Sequence, residues 1–291
     1  MKLPPYKELA PFFLDENKCD EFLLEEGCYY RLCHCKGCGS EVRPQLKQKR
    51  FRCGMSSCKR EWSLKKYTFF EGSRLKSNEI LHLGYLWLNR NSQTQAAVAT
   101  GHSTRTVTKF WTHFRQLVAS TLDNVDDVIG GKNVEVEVDE TKLGKRKYQR
   151  GHRVEGVWIV VGVERTPERR VFMVRVQDRT SETLKSIIRR HVQEESIVLT
   201  DMWKGYAGLD NDLNVQHRTV NHSKFFKDPI TGVHTNTVEG TNNALKIHIR
   251  PRNRTKEVDD HLSEFIWRRK HSFDLWRAFI SALRDIHYDL E

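Results

Sequence analysis

At 291 residues and 38% apolar content, the chain can build one sizeable core with one or two small appended modules, and no apolar run approaches the roughly 18 residues of a membrane span. A formal charge of +11 points to a polyanionic partner, nucleic acid before an anionic membrane surface. The opening "MKLPPYKELAPFFLDENKCDEF" lacks the order of a secretory leader and the Arg-rich pattern of a transit peptide, so an intracellular, thiol-reducing setting is expected, where clustered cysteines act as metal ligands rather than disulfides.

Residues 1–28 carry three Lys and seven Asp/Glu, whereas residues 29–66 carry eleven Lys/Arg and two Glu, so an acidic lead-in precedes a basic module. Within the lead-in, residues 10–24 pattern as one or two short amphipathic helices. All seven cysteines fall in the first 58 residues. Cys35 and Cys38 are separated by two residues, and Cys53 and Cys58 by four. Two knuckles of this kind place four thiolates tetrahedrally around one structural Zn²⁺, and a module this small and polar needs such a staple. Residues 29–66 therefore read as a zinc ribbon, with Cys33 and His34 as substitute ligands because the second spacing is loose. Lys47, Lys49, Arg50, Arg52, Lys59 and Arg60 suit phosphate contacts, with a solvated charged surface as the bland alternative.

Residues 77–122 turn helical. "SNEILHLGYLWLNR" sets Ile80, Leu83, Tyr85, Leu86 and Trp87 near helical spacing behind a Ser77 or Asn78 cap. A short helix from about Ser92 to Ala99, a turn at Gly101 and a longer helix from near Ser103 follow the grammar of a helix-turn-helix. Ser103, Thr104, Arg105, Thr108 and Lys109 are its exposed candidates, with Arg105 and Lys109 the expected DNA contacts; an ordinary helical hairpin is the competing reading. "DNVDDVIGGKN" reads as a polar linker.

From residue 132 to 271 the pattern becomes that of an α/β domain. "VEVEVDE" (134–140) alternates, with Val134, Val136 and Val138 on one face and Glu135, Glu137 and Asp139 on the other. Such an acidic row is costly inside a sheet unless a cation or water satisfies it. Apolar strands at 156–164 and 169–176 form a hairpin, Thr180 or Ser181 caps an amphipathic helix, and a strand at 196–201 ends in Asp201. A fifth short strand lies in "NVQHRTVNH". A late helix in "HTNTVEGTNNALK" (234–246) puts Glu239, Asn242, Asn243 and Lys246 along one face. The order β-β-β-α-β-α-β-α, with acids at the ends of the first and fourth strands and in a late helix, is the plan of a ribonuclease H-like mixed sheet. Three carboxylates so placed suit two hard divalent cations, Mg²⁺ or Mn²⁺, and phosphodiester chemistry.

"VEVDETKLGKRKYQRG", "LTDMWKGY", "VNHSKFF" and "HTNTVEGTNNALK", behind a Cys-pair ribbon, resemble the Merlin family of eukaryotic DNA transposases and the related bacterial insertion-sequence transposases. The likeness runs from about residue 28 to 270. It implies a cut-and-paste DDE transposase with its triad on Asp139, Asp201 and Glu239, spaced with 61 and 37 residues between them. The expected activity is binding of terminal inverted repeats, cleavage of the ends and their joining to target DNA, by a homo-oligomer with no membrane association. A nuclear location is expected in a eukaryotic host, supported by "KQKR" and "WRRK", and a cytoplasmic one otherwise. Two rivals remain: a domesticated, catalytically silent DNA-binding or regulatory protein of the same fold, and a nuclease acting on RNA-containing duplexes.

Around the triad, Glu140 is an alternative ligand and Glu137 lies on the face of Asp139, each with electrostatic support as the plainer role. His222 and His234 flank the site as auxiliary residues that orient water or meet the scissile phosphate. Lys142, Lys145, Arg146 and Lys147 form a basic loop along DNA. Trp203 and Tyr206 either stack on a base or pack beneath the site. Asn243 and Lys246 face DNA, and Arg250, Arg252, Arg254 and Lys256 grip it behind the site. Residues 272–291 end the chain as a helix, and Phe265, Ile266, Trp267, Phe273, Leu275, Trp276, Phe279, Ile280 and Leu283 supply apolar surface for packing and a dimer contact.

Overall fold

A computed structural model describes residues 3–122, 128–144, 156–220, 234–255 and 258–286. The chain divides into two compact units, Met1–Thr121 with His271–Glu291, and Leu122–Lys270.

The first unit opens with helices α1 (Tyr6–Leu14) and α2 (Glu16–Glu25), separated by Asp15, whose carboxylate caps α2 by accepting from the Asn17 and Lys18 amides at 2.9 and 3.3 Å. A two-stranded ribbon follows, β1 (Cys33–His34) with β2 (Glu41–Val42), then a three-stranded one, β3 (Pro44–Gln45), β4 (Arg50–Arg52) and β5 (Glu61–Ser63). Each cysteine pair sits in the turn of a hairpin, one between β1 and β2 and the other between β4 and β5. Phe51 and Trp62, directly opposed on β4 and β5, stack with ring centroids 5.5 Å apart.

Helix α3 (Ser77–Leu88) starts one residue earlier than a Ser77 or Asn78 cap allows: Lys76 is its cap residue, and the Lys76 amide donates to Glu79 Oε2 at 2.7 Å. Ser77 and Asn78 are instead buried, where Ser77 Oγ shares a hydrogen bond with the Tyr29 hydroxyl (2.5 Å) and Asn78 Nδ2 donates to the Phe13 carbonyl (2.8 Å). Tertiary partners have claimed both polar side chains. Helix α4 (Gln93–Thr100) begins at Ser92, whose hydroxyl accepts from the Gln95 amide while Gln95 Oε1 accepts from the Ser92 amide. It ends at Gly101, in the left-handed region at φ +72°, and Ser103 caps α5 (Thr104–Ala119).

The second unit is a five-stranded sheet with helices on both faces. Its order is β12 (Gln216–Val220), β11 (Ile197–Asp201), β7 (Glu135–Leu143), β8 (Val157–Glu164), β9 (Val171–Val176), with β7–β8–β9 antiparallel and β7–β11–β12 parallel. A short strand β6 (Ile129–Gly130), inside the stretch expected to be linker, pairs with β10 (Val192–Gln193), and Ile129 is fully buried. The apolar Ile129 thus begins the folded domain earlier than a polar linker would allow.

Helix α6 (Ser181–His191), capped by Thr180, and the short α7 (Leu209–Asp212) cover one face through Leu184, Ile188 and Leu209 against Val136, Val138 and Val160. Helices α8 (Asn236–His248) and α9 (Asp259–Lys270) cover the other through Val238, Leu245, Leu262 and Phe265 against Ile159, Val161 and Val163. Gly162 leaves room for the Phe172 ring on the neighbouring strand, since a Cβ there would lie 2.0 Å from Phe172 Cε1. The last helix, α10 (Leu275–Asp285), belongs to the first unit, with Phe279 against Phe114 of α5 at a ring separation of 5.3 Å. Leu275, Trp276, Phe279, Ile280 and Leu283 are buried as expected, whereas Phe273 is 88% exposed.

Candidate active site and metal centre

Alternation along β7 sends Val136 and Val138 into the core under α6 and turns Glu135, Glu137 and Asp139 towards α8. The acidic row is satisfied by the protein itself. Arg165, immediately after β8, donates Nε to Glu137 Oε1 at 2.5 Å and Nη1 to Glu135 Oε2 at 2.6 Å. Glu137, with no exposed surface, accepts a second bond at 2.8 Å from the Val238 amide in the first turn of α8.

Asp139 is two residues past the last pairing of β7 with β11, Glu137 opposite Leu199. Asp201, two residues past Leu199, ends β11 on the same face, so the aspartates leave adjacent strands side by side. The first strand does not end at Asp139, because β7 continues to Leu143 in pairing with β8. What stops there is the parallel partner, which opens the sheet beside the aspartate. From α8, Asn242 Nδ2 donates to Asp139 Oδ2 at 2.8 Å, and Glu239, one turn earlier, accepts from Thr235 Oγ1 at 3.3 Å. Burial first, then the charges of Glu140, Asp201 and Glu239, push the Asp139 carboxyl up to about 7. The three carboxylates are therefore electrostatic neighbours. Among the described residues they are not drawn to the close ligand spacing that the cysteines reach.

Oxygen donors of this kind fit hard divalent cations, and two observations suit such a group: the Asp139 carboxyl, raised first by burial and then by its acidic neighbours, and the buried Asn242 Oδ1, which has no hydrogen-bond partner among the described residues.

Glu140 points to the opposite face from Asp139, with Val136 and Val138. There the Tyr206 hydroxyl donates to its Oε1 in a very short bond, and Arg179 Nη1 lies 3.5 Å from Oε2. Burial raises the Glu140 pKa against the pull of that hydroxyl. Two protein partners thus engage the residue expected as an alternative ligand. Tyr206 is buried, as packing beneath the site requires, whereas Trp203 is 44% exposed. The Arg179 guanidinium lies between Trp158 and Trp203, 3.8 and 5.0 Å from the two ring centroids. His234 is joined to Arg165: its Nδ1 lies 2.8 Å from Arg165 Nη2, and its carbonyl accepts from the same nitrogen at 2.6 Å. These contacts favour support of α8 over a direct role at phosphate.

Lys142 lies within β7 rather than in a loop, its Nζ 5.4 Å from the Trp158 ring centroid. Lys145, Arg146, Lys147, His222 and Lys256 lie outside the described residues. Asn243 is exposed and Lys246 half-buried on α8, while Arg250 and Arg252 are exposed beyond it. Arg254 is turned inward, donating Nε to the Ile249 carbonyl at 2.9 Å and Nη2 to the Lys246 carbonyl, so it caps the end of α8 instead of presenting charge outward.

In the first unit the sulfurs of Cys35, Cys38, Cys53 and Cys58 all lie within 4.8 Å of one another, with Cys35–Cys58 at 3.5 Å and Cys38–Cys53 at 3.4 Å. Four thiolates about 2.3 Å from Zn²⁺ stand roughly 3.8 Å apart, so this tetrad fits one such ion. Hydrogen bonding, first from the Ser40 hydroxyl, pushes Cys38 down to about 6, and the Gly37 amide lowers Cys35, both favouring the thiolate a metal needs. Cys33 and His34, on β1, are not part of the tetrad. Ser103, Thr104, Arg105, Thr108 and Lys109 are all exposed at the start of α5.

Arg165 and Arg179 escaped the sequence reading, which placed Asn242 on the face of Glu239 but gave it no role. For Asn242 a signal existed, since it follows Glu239 by three residues on one helix face. For the arginines none did, because nothing local ties Arg165 to a strand 28 residues earlier.

Residues 129–270 match the ISXO2-like transposase domain. No curated protein matches the chain. The match supports an insertion-sequence-type transposase domain over those residues, which the mixed sheet covered by helices fits. Among the described residues no helix is long and apolar enough to cross a membrane.

Proposed function

We propose that the chain is a DDE transposase of the Merlin type, binding terminal inverted repeats, cleaving the element ends and joining them to target DNA. The observation that carries this reading is the arrangement of Asp139 and Asp201 on one face of adjacent parallel strands, with α8 bringing Glu239 beside them, inside the segment similar to a transposase domain. The strand order, with β7 central and β8 antiparallel to it, supports a ribonuclease H-like fold.

Asp139, Asp201 and Glu239 would hold two Mg²⁺ or Mn²⁺ ions, which activate an attacking oxygen and stabilise a leaving one at phosphorus. Asn242 orients Asp139 through its amide, and Arg179 and Tyr206 hold Glu140 aside. The cysteine tetrad, loaded with one Zn²⁺, would staple the ribbon. The helix pair α4–α5, joined through Gly101, would act as a helix-turn-helix with Arg105 and Lys109 on DNA. Lys142, Asn243, Lys246, Arg250 and Arg252 add contacts along the duplex. Two ends must be brought together, so the active form is a homo-oligomer, nuclear in a eukaryotic host.

The test incubates purified protein and Asp201→Ala with Mn²⁺, a labelled candidate terminal-repeat duplex and a target plasmid. Joined products from the wild type alone support the reading. Equal nicking by both proteins, or activity confined to RNA-containing duplexes, contradicts it.

A further inference from the structure

We propose that Glu137 and Arg165 are positioning residues that clamp the first turn of α8 onto β7 and so hold Glu239 in register with Asp139. The consequence for metal binding rests on the two-cation reading above; the clamp itself does not.

The start of α8 has only a long local cap, the Asn236 amide donating to His234 Nδ1 at 3.4 Å. Thr235 stands at the cap position and makes no side-chain bond to the first amides, which a helix start must otherwise satisfy. The Val238 amide, third in the helix, is satisfied instead by Glu137, 101 residues earlier in the chain. Glu137 thus does for α8 what a neighbouring Ser or Asp does for most helices, and does it from the strand that carries Asp139. Its other oxygen accepts from Arg165 Nε at 2.5 Å, so protein donors engage both oxygens.

Arg165 closes the other side. Its Nη2 donates to the His234 carbonyl at 2.6 Å, just before the helix, while Nη1 holds Glu135. One guanidinium therefore spans two acids of β7 and the residue leading into α8, and only Arg has the planar fork for that. Glu239 follows Val238 directly. An α-helix rises about 1.5 Å per residue, and misplacing a reacting group by about 1 Å can lower a rate on the order of 100-fold.

The experiment compares full-length, zinc-loaded wild type with Arg165→Lys and Glu137→Gln. Lys keeps the charge but reaches fewer partners, and Gln keeps an acceptor for the Val238 amide while losing the ion pair. Three readouts are taken: hydrogen exchange over residues 236–248 without divalent metal, Tb³⁺ luminescence titration, and the Mn²⁺ concentration giving half-maximal cleavage. Expected are faster exchange in the first turn of α8 with the β8 and β9 amides unchanged, and a Tb³⁺ midpoint raised about tenfold. Cleavage should fall roughly 10- to 100-fold with a raised Mn²⁺ midpoint and unchanged DNA affinity. Wild-type exchange and midpoints in both variants would overturn the proposal, as would a cleavage loss with unshifted midpoints that tracks melting temperature. If the wild type cuts no DNA while exchange and Tb³⁺ midpoints shift as expected, the clamp stands and the transposase reading fails.

Discussion

Asp139→Asn should stabilise the protein in buffer without added divalent metal, and more so as pH rises. The folded state holds the Asp139 proton up to about pH 7, whereas the unfolded chain releases it near 3.8. Between those values the native state binds more protons than the unfolded state, so stability falls as pH rises. The contribution of this group is full below about pH 4 and lost by about pH 7. At about 1.4 kcal/mol per pH unit, the difference between 3.8 and about 7 amounts to at most about 4 kcal/mol. Asn keeps an acceptor for Asn242 Nδ2 and carries no charge, so it removes this penalty. Thermal unfolding of zinc-loaded wild type and variant from pH 5 to 9 measures it. The variant should melt several degrees higher at pH 8 and less than half as much higher at pH 5, with a flatter profile. Melting at or below wild type at pH 8, with an unchanged slope, would refute the reasoning.

Cys53→Ser should lose the bound zinc and unfold the ribbon, while Cys33→Ser keeps one zinc per chain; colorimetric zinc release after thiol oxidation distinguishes the two, and equal zinc in both variants argues against the tetrad. Arg105→Ala with Lys109→Ala should weaken duplex binding and reduce the slope of log affinity against log salt by about 2, measured by anisotropy between 50 and 200 mM salt. An unchanged slope removes α5 from the DNA surface. Gly162→Ala forces a Cβ into the Phe172 ring and should cost about 1–3 kcal/mol, read as a lower melting temperature; an unchanged one would mean the ring moves freely aside.

Where a local pattern decides the outcome, the sequence was sufficient. Period-two alternation on β7 places Asp139 opposite Val138, the cysteine spacing gathers the tetrad, and Ser92, Gly101 and Ser103 bound α4 and α5 at or next to the expected residues. The same alternation puts Glu140 on the face of Val136 and Val138, away from Asp139, which the reading of Glu140 as an alternative ligand overlooked. Long-range pairing stayed hidden. Neutralisation of Glu135 and Glu137 comes from Arg165, the cap of α8 comes from a strand, and Ser77 and Asn78 bond to Tyr29 and Phe13 rather than to their own helix. Helix α10 reads as amphipathic in sequence, but the partner for its apolar face lies more than 150 residues earlier, at Phe114.

The central claim is that Asp139, Asp201 and Glu239 act together in cutting DNA. Its most direct test is Mn²⁺-dependent cleavage of a labelled terminal-repeat duplex by wild type, Asp139→Asn, Asp201→Asn and Glu239→Gln, with binding measured on the same samples. The account predicts that each substitution alone abolishes cleavage and leaves binding intact. Cleavage that survives any one of the three substitutions at the wild-type rate would contradict it.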